Sequence, residues 1–441
     1  MAYTLKLGFK HRVILLFFIL IVVAMLYITS VFAVRFFTAL IISLFYLYSM
    51  FIILLANLFY DDSETREIFP KKIPTVAVVT YAYNHFKGIE DQIKSLLKLK
   101  YPIPFNVYLV NDGTMGHVEK NERLKLITLD KKHFIKGQNI KATIMNLAFS
   151  KLKEDNILCI DGDSYPDKNA LMKMTPLLQG NTAAIVGLIT PSNKEKIIER
   201  FQVYEYNLNF GMWARGVSIF NSLFVVFGPL NLIDRKKFLE VGGFDVYNIT
   251  EDSDIAYKFQ KFGYNIKYTK EATAKTDVPP TIKKLWRQRV RWYRGNFYTL
   301  VRYSSFFFNW RLKYLGMFVM PYFLFINLLG IAVILRFLFE VVRAFLLHMY
   351  FYISEFIAQK AVYFNLFNFN YFYIPPATFM WVISLTIFMF FVIVGFSYTG
   401  FKLGWKDTLP FILFYFLYFP IIVVIYIYCL IVEFIGVKYK W

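Results

Sequence analysis

Two long apolar runs, Val13–Val34 and Phe36–Phe59, are separated only by Arg35 and constrain the fold more than any other feature. Each exceeds the roughly 20 residues that a helix needs to cross a bilayer's hydrocarbon core. A cleaved secretory signal has a shorter apolar core and a small-residue cleavage site. Residues 1–59 therefore read as a tight transmembrane hairpin. Lys6, Lys10, His11 and Arg12 place its N-terminus in the cytoplasm. Three further spans are predicted at Leu315–Leu338, Ala377–Tyr398 and Leu409–Ile435, within a C-terminal membrane region of residues 314–441. Glu340–Pro376 is very aromatic but carries Arg343, His348, Glu355 and Lys360, and it reads as an extracytoplasmic interfacial or re-entrant element. The composition agrees, at 57% hydrophobic and 20% aromatic, values that a soluble chain of this length rarely reaches.

At Tyr60-Asp61-Asp62-Ser63 the character changes, and residues 60–280 read as a globular α/β domain. Strand-like runs (Thr75–Thr80, Phe105–Val110, Leu124–Thr128, Ile157–Ile160, Ala183–Leu188, Leu223–Phe227) alternate with helical patterns (Gly88–Leu97, Ile140–Leu152, Lys168–Leu177, Glu195–Trp213, Asp252–Lys261). Such alternation predicts parallel strands with crossover helices. Residues 281–313 follow as basic amphipathic segments, at Ile282–Tyr298 and around Trp310–Leu312, suited to a membrane interface. The net charge of +20 fits three partners: nucleic acid, anionic lipids or anionic small substrates. Membrane spans favour the last two. The basic residues are scattered and form no aromatic–basic recognition motif, so no nucleic-acid partner is expected. Cys159 and Cys429 are far apart and imply neither a disulfide framework nor a zinc site.

Several stretches carry possible chemistry. Asp161-Gly162-Asp163 closes a predicted strand, where ligands of open α/β sheets gather. Two carboxylates so placed suit a hard divalent ion and a nucleotide, or else form a plain turn. Asn111-Asp112-Gly113-Thr114 ends an earlier strand in the same way, open to the same two readings. In Thr250-Glu251-Asp252, Thr250 is placed to cap a helix, and Asp252 is placed to act as a general base. Gln288-Arg289-Val290-Arg291-Trp292 sets two guanidinium forks beside an indole. That combination suits a diphosphate and a sugar ring, and equally an interfacial anchor.

Taken in order, these stretches resemble membrane-embedded, processive family 2 glycosyltransferases, the group of poly-N-acetylglucosamine, chitin, hyaluronan and cellulose synthases. Tyr81-Ala82-Tyr83-Asn84 resembles Pro-Ala-Tyr-Asn, Val110–Thr114 resembles Val-Asp-Asp-Gly-Ser, and Lys141–Asn146 resembles Lys-Ala-Gly-Ala-Leu-Asn. Asp161-Gly162-Asp163 matches the metal motif, Thr250-Glu251-Asp252 the base motif, and Gln288–Trp292 the Gln-x-x-Arg-Trp motif. The resemblance implies a GT-A, Rossmann-like nucleotide-sugar-binding domain in the cytoplasm, inserted between transmembrane helices of the plasma membrane. It implies that Tyr83, Asp112, Lys141, Asp161, Arg289 and Arg291 bind the UDP-sugar donor. Gln288, Trp292 and Glu251 would face the acceptor, Asp163 would hold Mn²⁺ or Mg²⁺, and Asp252 would be the base of an inverting transfer.

The departures are Tyr81 for Pro, His85 for Glu, Asn111 for Asp, and Phe227-Gly228-Pro229 where many members have Ser-Gly. They bear on which sugar is carried more than on activity. Arg294-Gly295 leans towards cellulose or poly-N-acetylglucosamine synthases, so UDP-GlcNAc or UDP-Glc is the expected donor and a β-linked polysaccharide the expected acceptor. Two alternatives stand beside this expectation. One is transfer of a single sugar to a ceramide- or polyprenol-type membrane lipid. The other is a transporter or scaffold with a degenerate transferase domain.

Overall fold

The computed structural model describes residues 69–82, 88–111, 121–128, 135, 137–357 and 376–437, with residues 2–3, 54 and 439–440. The predicted N-terminal hairpin lies almost wholly outside these residues, as do Tyr83, Asp112 and residues 358–375.

The α/β expectation holds for the middle of the chain, with a sheet of mixed direction. Its strands are β1 (Val76–Ala82), β2 (Asn106–Asn111), β3 (Leu124–Thr128), β4 (Asn156–Asp161), β5 (Ser164–Pro166), β6 (Thr182–Pro191), β7 (Asn231–Asp234) and β8 (Asn265–Thr276). They lie in the order β3-β2-β1-β4-β7-β6-β8-β5. β3, β2, β1 and β4 run parallel, β7 lies antiparallel between β4 and β6, and β8 runs parallel to β6. Side chains alternate between faces along a strand, and here both faces are covered. Ala77, Val79, Ile157 and Cys159 enter one core with Phe149 and Phe259, while Val76, Val78, Leu158 and Ile160 enter the other with Leu96 and Leu171.

Register fixes the rim that matters. Tyr81 pairs with Asp161 and Ala82 with Asn111, so the C-terminal ends of β1, β2 and β4 finish level. Three helices meet the same edge: α2 (Ile140–Lys151), α7 (Glu251–Lys261) and α8 (Ile282–Arg302). In chain order the remaining helices are α1 (Ile89–Leu97), α3 (Ala170–Met174), α4 (Ile197–Leu208), α5 (Arg215–Ile219), α6 (Arg235–Glu240), α9 (Met320–Ile357), α10 (Pro376–Thr399), α11 (Thr408–Leu413) and α12 (Phe419–Ile435).

Two expectations need correction, and one long strand has no counterpart among them. Leu223–Phe227 is no strand: it is extended chain whose Val226 N–H donates to the Asp252 carbonyl at 3.0 Å rather than to a neighbouring strand. β8 was not expected, because its Lys, Thr and Glu residues hide an alternation that buries Ile266, Tyr268, Ala272 and Ala274. Glu340 does not begin a separate element either. α9 continues unbroken for 38 residues, and its stretch past Glu340 exposes Phe345, Tyr350 and Phe351.

The apolar helices lie against the domain through α4 and α8. Phe201, Tyr204 and Leu285 share a core with Val392, Phe396, Phe411, Phe414 and Tyr418. Val290 and Phe297 share another with Leu328, Ile331, Ile425 and Cys429. Among the described residues, Trp405–Ile435 (31 residues, mean hydropathy 2.4) is long and apolar enough to cross a membrane. α4 passes into a π-helical turn, Asn209–Ala214, and there crosses α10 at contact distance. A Cβ on Gly211 would collide with the Gly395 carbonyl, so only glycine admits the crossing. Gly211→Val is expected to cost about 1–3 kcal/mol by overpacking, read as a lower unfolding midpoint in detergent. An unchanged midpoint would contradict so close a crossing.

Candidate active site

The site starts from the turn that ends β4. The Asp161 carbonyl accepts from Gln92 Nε2 at 2.6 Å, and the Ser164 carbonyl accepts from the same amide at 3.2 Å. Gln92 Oε1 in turn accepts from Thr80 Oγ1 at 3.3 Å. Gln92 is fully buried, and its one side chain closes both ends of Asp161-Gly162-Asp163. On the other side Gly228 lies against the Asp161 carboxylate, where a Cβ would overlap it. The contact gives a physical reason for the glycine of Phe227-Gly228-Pro229.

Lys141 joins this turn to α7. Its Nζ lies 2.7 Å from Asp161 Oδ1 and 2.9 Å from Glu251 Oε1. Asn139 caps α2, accepting from the Ala142 N–H at 3.2 Å, and its Nδ2 donates to Glu251 Oε2 at 3.0 Å and to the Asn248 carbonyl at 2.8 Å. Burial alone would lower the Lys141 ammonium. The two carboxylates outweigh it and hold Lys141 charged well above its ordinary range. Burial alone would likewise raise Glu251, yet Lys141 keeps its carboxyl below the usual value.

Asp252 follows Glu251 at the start of α7, and its environment runs the other way. Burial first, then the Glu251 charge, push its carboxyl up to about 6, against smaller pulls from Lys141 and Arg291. Neighbouring carboxylates thus differ in acidity because Lys141 contacts only one of them. Asp163 reaches solvent, accepting from Ser164 Oγ at 3.3 Å and Thr276 Oγ1 at 3.4 Å. Desolvation by surrounding groups, and then the Asp161 charge, raise its carboxyl.

α8 closes the site. Arg291 is near enough for its charge to lower both Glu251 and Asp252. Gly295 makes the approach possible, since a Cβ there would collide with the Thr250 side chain. Thr250 does not cap α7 as expected. Its Oγ1 donates to Asn248 Oδ1 at 3.1 Å, Asn248 Nδ2 donates to Thr299 Oγ1 at 2.8 Å, and Thr299 donates to the Gly295 carbonyl at 3.0 Å. This buried polar chain rivets α8 to the Thr250–Asp252 turn.

The family description "Glycosyl transferase family group 2" matches residues 156–433, which include Asp161, Asp163, Asp252 and Gln288–Trp292. The chain belongs to that family. A poly-β-1,6-N-acetyl-D-glucosamine synthase of Staphylococcus epidermidis is 27% identical over 241 residues, covering 53% of this chain and 57% of that protein. The match therefore spans little more than half of that relative's length. The enzyme of the same description from Staphylococcus aureus strain COL is 26% identical over 286 residues, 63% of this chain and 68% of that protein. A solved Pyrobaculum calidifontis mannosyltransferase in complex with GDP-Man and Mn²⁺ aligns with 62% of this chain and 73% of its own, at 16% identity and a TM-score of 0.43, too low to bear on the site.

Against the sequence expectations, this family 2 chain brings Lys141, Asp161, Glu251, Asp252 and Arg291 together, with Asp163 beside them. Tyr83 and Asp112 lie outside the described residues. Gln288 keeps a buried Oε1 without a hydrogen-bond partner. Arg289, expected to bind the donor, is enclosed. Only 2% of its side chain is exposed, and its guanidinium is ion-paired with Glu205. Gln92, Asn139, Asn248 and Gly228 carry no motif-level signal except the glycine, because each acts across the fold. In this family 2 chain Gly295→Ala is expected to cost about 1–3 kcal/mol and to slow turnover, and Thr250→Ala in addition to restore part of both. Thermal unfolding and sugar-transfer rates check this, and a Gly295→Ala protein indistinguishable from the parent would contradict the contact.

Proposed function

We propose that this protein transfers a sugar, with inversion, from a UDP-sugar to the end of a growing β-linked polysaccharide at the cytoplasmic face of the plasma membrane. The polymer would leave through the protein's own membrane helices. The observation that carries the reading is Lys141 bridging Asp161 and Glu251, which brings the nucleotide-side turn and the base-side helix to one place. UDP-GlcNAc is the preferred donor, since the relatives named above are poly-N-acetylglucosamine synthases. UDP-Glc is the second candidate.

The divalent ion, Mn²⁺ or Mg²⁺, fits the residues present. Asp161, Asp163, Glu251 and Asp252 stand against Lys141 and Arg291, four carboxylates to two cations, and burial first, then neighbouring carboxylate charge, raises Asp163 and Asp252. Among the described residues no group of three or more acidic, His or Cys side chains is gathered for a metal. A site of one or two carboxylates completed by phosphate oxygens and water is how such ions meet nucleotides. Asp163 would hold the ion, and when bound it would offset charge on the diphosphate.

The protein's own groups do the rest. Asp252 as carboxylate takes the proton from the acceptor hydroxyl while that oxygen bonds to the anomeric carbon. The anomeric carbon's bond to the diphosphate breaks, and UDP leaves. Arg291 stabilises the departing charge, as aimed donors do in acyl and phosphoryl transfer. Asp161, Lys141, Tyr83 and Asp112 hold the nucleotide side. Gln288, Glu251 and the Trp292 face hold the acceptor. Membrane lipids surround the apolar helices.

Asp252 must be ionised to act, so the transfer rate should fall about tenfold per unit as pH drops below about 6, and level off above it. Asp252→Asn should lower the rate about 10²–10⁴-fold. A raised folded-state value favours the fold below the unfolded pKa and loses that contribution as pH rises through about 6. Asp252→Asn should therefore melt no lower than the parent near neutral pH. Initial rates with UDP-GlcNAc and Mn²⁺, and product mass, check these outcomes. A lipid-extractable monoglycoside would replace the polymer reading with lipid glycosylation. UDP binding without turnover would leave a degenerate scaffold.

A further inference from the structure

Arg289 sits three residues before Trp292 on α8, and its guanidinium carbon lies 4.1 Å from the centre of the indole. That contact occupies one face of the ring. Arg289 is itself enclosed. Its Nη2 pairs with Glu205 Oε2 from α4 and donates to the Tyr418 hydroxyl at 3.2 Å. The Tyr418 hydroxyl donates to the same Glu205 oxygen at 2.7 Å, closing a triangle. Tyr418 lies in the π-helical turn Phe414–Tyr418 that leads into α12, with Phe201 and Phe414 rings packed around it at 5.7 and 5.4 Å. π-Helical turns are rare and recur at functional sites.

We propose that Glu205 and Tyr418 are positioning residues: by holding the Arg289 guanidinium they set the plane and height of the Trp292 indole on which the acceptor sugar rests. The inference rests on the transferase reading above. Three elements distant in sequence converge on one fork. A planar guanidinium held at its far end cannot tilt freely, and it carries the ring stacked on it. Glu205 is the only carboxylate in the triangle, so neutralising it leaves a buried cation unpaired and free to seek another partner. The Tyr418 hydroxyl orients the pair, and it makes the last apolar segment part of the platform.

The test is a double-mutant cycle on the full chain in lipid nanodiscs, with UDP-GlcNAc, Mn²⁺ and a short N-acetylglucosamine oligosaccharide as acceptor. Glu205→Gln and Arg289→Met should each slow elongation roughly 10- to 100-fold, since small misplacements of a positioned group have effects of that size. The KM for the oligosaccharide should rise, products should shorten, and UDP affinity should stay within about twofold. The double variant should be no slower than Arg289→Met alone, because residues that act through one another are non-additive. Tyr418→Phe removes one oxygen and gives the same pattern more mildly, so it serves where Glu205→Gln does not accumulate. A double variant slowed by the product of the single effects, or UDP affinity falling in step with elongation, would overturn the inference alone. A parent protein that makes no product from any UDP-sugar would overturn the transferase reading, and this inference with it.

Discussion

One ammonium group, on Lys141, is shared by two carboxylates that belong to different parts of the sheet's rim. Asp161 ends β4, and Glu251 begins α7. Without that shared cation, two anionic elements would face each other across a poorly solvated gap. With it they close, and the residue just beyond Glu251 takes the consequence. Burial first, and then the Glu251 charge, raise Asp252, while Lys141 bonds directly to Glu251 and holds it low, so Asp252 becomes the weaker acid of the two. One shared cation therefore joins the two elements and leaves the neighbouring carboxylates with opposite shifts.

A second set of contacts sets the distance from this centre to α8. Gly295 lets the helix backbone rest on Thr250, and the buried chain through Asn248 and Thr299 keeps it there. These groups are uncharged and lie out of water's reach, where satisfied hydrogen bonds specify one arrangement and unsatisfied ones are costly. The family 2 match spans both this region and the apolar helices beyond it, which agrees with α8 packing on both.

The sequence made the chemistry-bearing stretches visible because each is local. Asp161-Gly162-Asp163, Thr250–Asp252 and Gln288–Trp292 announce themselves within five residues or fewer. The parallel strands β1, β2 and β4 were legible for a similar reason, as unbroken apolar runs. The supports were not legible. Gln92 acts on a carbonyl 69 positions away, Asn139 on a carboxylate 112 away, and Tyr418 on Glu205 across 213. Nothing in the neighbourhood of any of them marks the partner. Arg289 shows the limit from the other side. It fills a variable position of Gln-x-x-Arg-Trp, and only packing reveals that it faces Glu205. The polar strand β8 was missed because half of its residues are chosen for solvent.

The change of composition after residue 280 looks like a border between a soluble enzyme and its anchor, yet the contacts cross it. Arg294 of α8 is ion-paired with Glu433 of α12, both buried, and also donates to the Val437 carbonyl. A fragment ending before residue 314 would keep every carboxylate of the site while exposing the face of Val290 and Phe297 and leaving Arg294 without its counter-charge. Dissection of this molecule into a catalytic piece and a membrane piece has no natural cut. The last apolar helix packs on α8 as one of the domain's own walls.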